Sequence, residues 1–101
     1  MSSIKTPPLS ADELARVAGR FKMLGEPMRL KILLAVCRAP RMVNDIMSAT
    51  GVTPANVSNH LALLAAAGIL EREKAGQCVY FCVKDRLAIK MCELVLSQLE
   101  D

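Results

Sequence analysis

The sequence predicts a mainly α-helical domain with one small β-hairpin, an α+β fold, and three observations lead to this prediction. Apolar residues recur at helical spacing through most of the chain. Capping residues, prolines and glycines divide these stretches into short helices. After Gly68 the apolar pattern changes to that of two short strands around a glycine turn, and helical spacing returns after Asp85. The predicted order is therefore four helices, a hairpin and a last helix.

One domain is expected from a length of 101 residues, with residues 1–9 as a flexible N-terminal lead and residues 10–101 as the folded unit. Apolar residues make up 52% of the chain, so a second copy is expected to cover what one copy leaves exposed. The formal net charge of +3 permits nucleic-acid binding without indicating it. No apolar stretch approaches the ~18 residues of a transmembrane helix, and no signal-peptide pattern is present. We therefore expect a cytoplasmic protein with no membrane partner.

The first two helices have clear start signals. Ser10 and Glu13 fit a capping box, and the first helix is predicted to continue to about residue 24. Pro27 opens a second helix that is dominated by apolar residues, which predicts a central, buried position. Pro40 is expected to break this helix.

The next two helices form a helix-turn-helix pattern. Residues 42–49 and 53–67 are predicted helices, joined at Thr50-Gly51-Val52. Thr53 is a good N-cap, and Gly68 suits a left-handed stop at the other end. The fourth helix is thus delimited by its own sequence.

Two faces of the fourth helix have different characters. Val57, Leu61 and Leu64 follow at i, i+4 and i+7 and predict a buried stripe. The other side carries small or hydrogen-bonding residues, namely Ala55, Asn56, Ser58, Asn59 and Ala62. A face without bulk or charge suits insertion into a DNA groove. An ordinary solvated helix face is the alternative.

The hairpin and the last helix complete the fold. Residues 69–73 and 78–83 are strand candidates around a turn near Ala75-Gly76. Asp85 is a plausible N-cap for the last helix. Its apolar side carries Leu87, Met91, Leu94, Val95 and Leu99.

Three motifs in this order resemble the ArsR/SmtB family of small bacterial repressors. LGEPMRLKIL at 24–33 is similar to its second-helix signature, VSNHLALLAAAGIL at 57–70 to its recognition helix, and GQCVYFCV at 76–83 to its wing strand. The resemblance spans roughly residues 14–95. It implies a winged helix-turn-helix homodimer that pairs through its first and last helices. Such a repressor binds a palindromic double-stranded DNA operator and releases it when an effector is sensed.

The resemblance also implies which residues read DNA. The family's groove-reading positions fall on Thr53, Ala55, Asn56, Ser58 and Asn59. Pro54 and Ala55 stand where relatives often have Gln and Ser, which shifts the expected balance from base contacts toward DNA shape.

Charged residues are absent between Asp45 and Glu71, so contacts to phosphate are expected from the flanks. The candidates are Arg38, Arg41, Arg72 and Lys74, with Arg29 and Lys31 as further possibilities. Arg72, Lys74 and Gln77 surround the hairpin turn. They form either an ordinary polar turn or a wing that touches phosphate or the minor groove.

The sensing sites known in the family are not reproduced. Its arsenic-binding Cys-x-Cys would fall on Met42 and Asn44, and its last-helix zinc site needs Asp and His, whereas Asp85 stands alone there. His60, the chain's only histidine, borders the buried stripe and is interpreted as a hydrogen-bonded packing residue. No metal site and no cofactor is predicted, although a soft metal ion bound by thiols remains open.

Four cysteines remain to be explained: Cys37, Cys78, Cys82 and Cys92. Their spacing fits no paired zinc motif, and they are either core filler or a thiol-based sensor of persulfide, oxidant or soft metal. Cys37 with Cys92 is the favoured sensor pair, because the family's persulfide and redox sensors link the same two helices. Cys78 and Cys82 share one face of the wing strand.

An enzyme is not predicted, because the chain shows no catalytic triad, phosphate-binding glycine loop or paired-carboxylate motif. The expected function is a DNA-binding transcriptional repressor. A winged-helix module that contacts only other proteins is the alternative.

Overall fold

The computed structural model describes residues 8–100. It contains five helices and two strands in the predicted order: α1 Ala11–Leu24, α2 Pro27–Val36, α3 Val43–Thr50, α4 Pro54–Ala66, β1 Leu70–Ala75, β2 Cys78–Val83 and α5 Arg86–Leu99. The predicted flexible lead falls mostly on residues 1–7, outside the described part.

The helix starts follow from local capping chemistry. The Ser10 hydroxyl accepts a hydrogen bond from the Glu13 N–H at 3.1 Å, and the Glu13 carboxylate accepts one from the Ser10 N–H at 2.9 Å. Asp85 caps α5 through a 3.0 Å bond from the Leu87 N–H. Both predicted caps are confirmed. The second helix, by contrast, ends at Val36, earlier than the predicted break at Pro40.

The core lies where α2, α3, α4 and the base of the hairpin meet. The predicted α4 stripe is buried, and it packs with residues from each of these elements. The buried set is Leu24, Ile32, Leu33, Val36, Ile46, Val52, Val57, Leu61, Leu64, Ile69, Leu70, Phe81 and Ala88. The prediction that α2 is buried holds on one side only, because Leu34 is 52% exposed.

The hairpin is longer than predicted. Strands β1 and β2 pair antiparallel from Leu70 opposite Val83 to Ala75 opposite Cys78, so the turn consists of Gly76 and Gln77. The expected end of the first strand at residue 73 is wrong by two residues. A two-residue hairpin loop needs positive φ at its first position, and Gly76 supplies it at +64°.

The outer helices leave apolar side chains uncovered. Within α1 only Leu24 is buried, while Phe21 is 59% exposed. Leu99 on α5 is 75% exposed. The same two helices also expose Leu14, Val17, Leu87, Leu94, Val95 and Leu96. None of the helices in residues 8–100 has the length and apolar character to cross a membrane.

Candidate nucleic-acid interface

The turn between α3 and α4 is held by buried contacts. Gly51 ends α3 in the left-handed conformation at φ +75°, and Val52 is buried directly after it. The Thr50 hydroxyl donates to the Ile46 carbonyl oxygen at 2.7 Å and accepts from the Val52 N–H at 3.3 Å. These bonds satisfy a buried hydroxyl and fix the direction in which α4 leaves the turn.

The uncharged face of α4 is free of the core. Thr53 caps the helix by accepting a hydrogen bond from the Asn56 N–H at 3.4 Å, and Pro54 is the first helical residue. The stripe on the opposite side of α4 is buried. The five residues expected to read bases are all exposed, namely Thr53, Ala55, Asn56, Ser58 and Asn59. The structure thus presents short hydroxyl and amide groups on one face, within reach of an approaching surface.

His60 and Arg29 form an internal contact between α4 and α2. The Arg29 Nε donates to His60 Nδ1 at 3.4 Å, and its Nη1 donates to the Met23 carbonyl oxygen at 3.3 Å. His60 is therefore hydrogen-bonded against a neighbouring helix, as predicted. Arg29, which the sequence suggested as a phosphate contact, thus directs its Nε and Nη1 into the fold. Lys31 and Arg38 remain exposed.

Arg41 lies beside the hairpin and forms an isolated β-bridge with Phe81. Its own guanidinium Nε donates to the carbonyl oxygen of Ala35 at 3.3 Å, near the end of α2. The residue is exposed, so its charge is at the surface next to the wing.

The hairpin separates its charges by strand alternation. Leu70 is buried at the base of β1, and Arg72 and Lys74 continue outward on the same face. Glu71 and Glu73 point to the opposite face. Gln77 is exposed in the turn. The hairpin therefore has one basic face, continuous with the side that packs on the core, and one acidic face.

The acidic face also carries the thiol of Cys82, which was not predicted to lie beside Glu71 and Glu73. Cys82 pairs with Glu71, and ligand atoms of Glu71, Glu73 and Cys82 all lie within 4.8 Å of one another. The Cys82 thiol donates to a Glu73 carboxylate oxygen at 3.6 Å. Burial raises the pKa of Cys82, and the negative charge of Glu73 adds to this. Sulfur with carboxylate oxygen is a donor set that Zn²⁺ and related cations accept. Only the antiparallel register reveals this grouping.

Cys37, the C-cap of α2, and Cys92, within α5, are both half-buried. The Cys37 thiol donates to the Leu34 carbonyl oxygen at 3.1 Å, and the Arg86 guanidinium donates to the Cys37 carbonyl oxygen at 2.8 Å. Cys92 lines an apolar groove of about 440 Å³ between α1, α2 and α5, which the Leu34 side chain also lines. Burial raises the pKa of the Cys92 thiol, and Glu93 raises it further. All four cysteines are free thiols.

Comparison with known proteins agrees with this architecture. The model of the bacterial regulatory protein, arsR family, matches residues 26–72. The cadmium resistance transcriptional regulatory protein CadC of Listeria innocua is 31% identical over 86 residues, which cover 84% of this chain and 72% of that protein.

Solved structures give the same result. The antimony-specific transcriptional repressor AntR superposes with a TM-score of 0.81 at 31% identity, over 95% of this chain and 87% of that one. The homodimeric winged helix-turn-helix domain Mb0332 of Mycobacterium bovis is described as a possible ArsR-family transcriptional regulator. It superposes with a TM-score of 0.78 at 26% identity, over 94% of this chain and 91% of that one. The chain belongs to the ArsR family of bacterial regulatory proteins, and it is a winged helix-turn-helix transcriptional regulator rather than an enzyme.

Proposed function

We propose that this regulator is a homodimeric repressor that inserts α4 of each copy into the major groove of a palindromic operator. The observation that carries the proposal is the exposed, uncharged face of α4, on which Ser58 and Asn59 supply hydrogen-bonding groups. Hydroxyl and amide side chains on a helix of this kind contact base edges directly. The basic face of the wing, with Arg72 and Lys74, would contact the flanking phosphates or minor groove.

A second copy is the occupant we assign to the exposed apolar faces of α1 and α5. Phe21 and Leu94 would lose costly contact with water on pairing, since each is exposed in the single chain. The similar Mb0332 domain is described as homodimeric. A two-fold dimer would present its two α4 helices to half-sites about one DNA turn apart, roughly 34–36 Å.

The effector in this proposal acts on thiols. CadC is named for cadmium resistance and AntR for antimony specificity, and both elements are thiophilic. Neither family metal position fits here, because Met42 and Asn44 offer no thiolate. Asp85 is already engaged in capping α5 and in an ion pair with Arg20. The cysteines are the remaining thiolate donors.

Oxidation of Cys37 and Cys92 is the first form of this proposal. The two thiols would lose two protons and two electrons to an oxidant such as diamide, whose azo bond becomes a hydrazine, and one disulfide would form. Cys37 has the Arg86 guanidinium on its own carbonyl oxygen and Arg38 next in the chain, so two positive charges lie near this thiol. A disulfide would tie the end of α2 to α5 and change how the two α4 helices are spaced.

Capture of a soft cation on the wing is the second form. Cys82, Glu71 and Glu73 converge there with one sulfur and two carboxylate donors. A cation in this position would stiffen the hairpin on the face opposite Arg72 and Lys74.

A gel shift with DNA from upstream of the protein's own gene tests the function. Specific binding that survives excess unrelated DNA supports the proposal. A module that contacts only other proteins is the alternative. Under that alternative no specific complex forms even at low salt, where phosphate contacts are strongest.

A further inference from the structure

One guanidinium contacts both the end of α4 and the start of α5. Arg20, in the C-terminal half of α1, donates through Nη1 to the Ala67 carbonyl oxygen at 3.0 Å. The same nitrogen lies 3.5 Å from Asp85 Oδ2. The side chains of Arg20 and Asp85 are 38% and 26% exposed, so the contact is partly shielded. Three helices thus meet at one side chain.

The two acceptors are well suited to a cation. Ala67 is the C-cap of α4, where carbonyl oxygens lack intrahelical partners and the helix dipole is negative. Asp85 uses Oδ1 to cap α5, which leaves Oδ2 facing Arg20. Arg20 therefore supplies one hydrogen-bond donor at the end of α4 and a positive charge beside the carboxylate that starts α5.

The chain between these helix ends is also tied down. The Ile69 carbonyl oxygen accepts from the N–H groups of Lys84 at 2.9 Å and Asp85 at 3.2 Å. The end of α4, the base of the hairpin and the start of α5 are thereby joined by backbone bonds. The side chain of Arg20 connects α1 to these joined elements. Leu24 is the buried residue of α1.

We infer that Arg20 is a positioning residue for DNA reading: it sets the orientation of α4 relative to α1 and α5. An effector or partner that moves either outer helix would shift α4 through this contact. The inference rests on the proposed function, because it assigns the consequence to operator binding. Partly exposed ion pairs contribute little stability on their own, so the role of Arg20 is to fix the position of α4 rather than to stabilise the fold.

Arg20→Ala is the test variant, and Arg16→Ala is its matched control. Arg16 lies one turn earlier on α1, its side chain is 78% exposed, and within residues 8–100 its ion pair is with Asp12 at 3.9 Å. Both variants lose one positive charge, so long-range attraction to DNA falls equally. We expect Arg20→Ala to weaken operator binding about 3- to 30-fold and Arg16→Ala to change it less than about twofold.

Three further readouts separate positioning from other roles. Dimer mass and melting temperature should match those of Arg16→Ala. The salt dependence of binding should keep its wild-type slope, because a lost phosphate contact would reduce the slope by about one. Asp85→Asn keeps a capping side chain but removes the ion pair. Combined with Arg20→Ala, it should weaken binding no further than Arg20→Ala alone.

The inference is overturned if Arg20→Ala binds like Arg16→Ala, or if its affinity falls only together with dimer mass or melting temperature. Amide NMR spectra of the DNA-free protein give a readout that does not need an operator. Arg20→Ala should shift resonances from Ala67 back to Ser58, and Arg16→Ala should not. If the wild-type protein binds no DNA while these shifts appear, the proposed function fails and the coupling between helices stands. If the shifts stay next to Ala67, the coupling fails.

Discussion

Arg41 and Phe81 exchange two backbone hydrogen bonds: the Arg41 N–H donates to the Phe81 carbonyl oxygen at 2.9 Å, and the Phe81 N–H donates back at 2.8 Å. This single bridge joins the segment before α3 to strand β2 of the wing. Phe81 is itself part of the buried core. The helix-turn-helix and the base of the wing are therefore connected through the backbone as well as through apolar packing.

Removing the donor at position 41 should weaken the fold. Arg41→Pro has no N–H and leaves the Phe81 carbonyl oxygen without that partner, at an expected cost of about 1–3 kcal/mol. Arg41→Ala keeps the bridge, so its free energy of unfolding should stay within about 0.5 kcal/mol of the wild type. Urea denaturation measures both. Equal stability of the two variants would show that the bridge contributes nothing.

Base-reading and phosphate-binding variants should behave differently. Ser58→Ala or Asn59→Ala should cost about 1–3 kcal/mol on the operator and relax the preference for it. Lys74→Ala should weaken binding to every sequence. The slope of log affinity against log salt concentration should become shallower by about one. Anisotropy titrations on operator and scrambled DNA at several salt concentrations distinguish these results. Identical behaviour of both classes would contradict the assignment of α4 as the reading helix.

A charge on the apolar side of α5 should prevent pairing. Leu94→Glu places a carboxylate on the exposed apolar face proposed for the partner, and burying an unpaired charge there is costly. Ser97→Glu adds the same charge at a position that is polar already. Sedimentation at micromolar concentration should give a monomer for the first variant and a dimer for the second and for the wild type. A monomeric wild type would remove the two-half-site proposal.

The oxidant response should require both members of the favoured cysteine pair. Diamide should lower operator affinity of the wild type, and Cys37→Ser or Cys92→Ser should abolish this response without changing binding in the reduced state. Cys78→Ser serves as the control and should respond normally. Gel shifts before and after treatment, with mass spectrometry of the cross-linked peptides, measure the outcome. A normal response in a variant that lacks all four cysteines would assign them to packing.

Cation binding on the wing should depend on pH through Cys82. The pKa of this thiol is raised by burial and by Glu73, and the thiol must lose its proton to bind a metal. Apparent Cd²⁺ affinity should therefore rise as pH increases, about tenfold per unit below the thiol pKa. Sulfur-to-cadmium charge-transfer absorption reports the binding. The signal should disappear in Cys82→Ser and persist in Cys78→Ser, and a pH-independent signal would exclude thiolate coordination.

Local chemistry explains why so much of the fold was predictable. Ser10, Thr53 and Asp85 start their helices because their side chains accept the unpaired N–H groups of the first turn. Gly51 and Gly68 end segments with positive φ. The i, i+4, i+7 stripe of α4 was also sufficient to identify its buried face. These signals depend on residues within about one helical turn, so they can be identified from the sequence.

The exact length of the hairpin was less accessible from sequence. The first strand continues to Ala75 because Ala75 pairs with Cys78 of the second strand. Composition alone therefore placed the first strand's end too early. The same pairing brings Cys82 beside Glu71, eleven positions away in the chain.

The element order, the helix caps and the uncharged face of α4 can be predicted from the sequence, because each depends on neighbours within a few residues. Where long cationic side chains direct their donors depends instead on the packing of distant elements. Arg29 turns inward to His60, and Arg20 bridges Ala67 and Asp85. These contacts join residues up to 65 positions apart, and no local pattern encodes them. They exist because packing of the apolar core brings distant helix ends together, where a long cationic side chain satisfies groups that the helices leave unpaired.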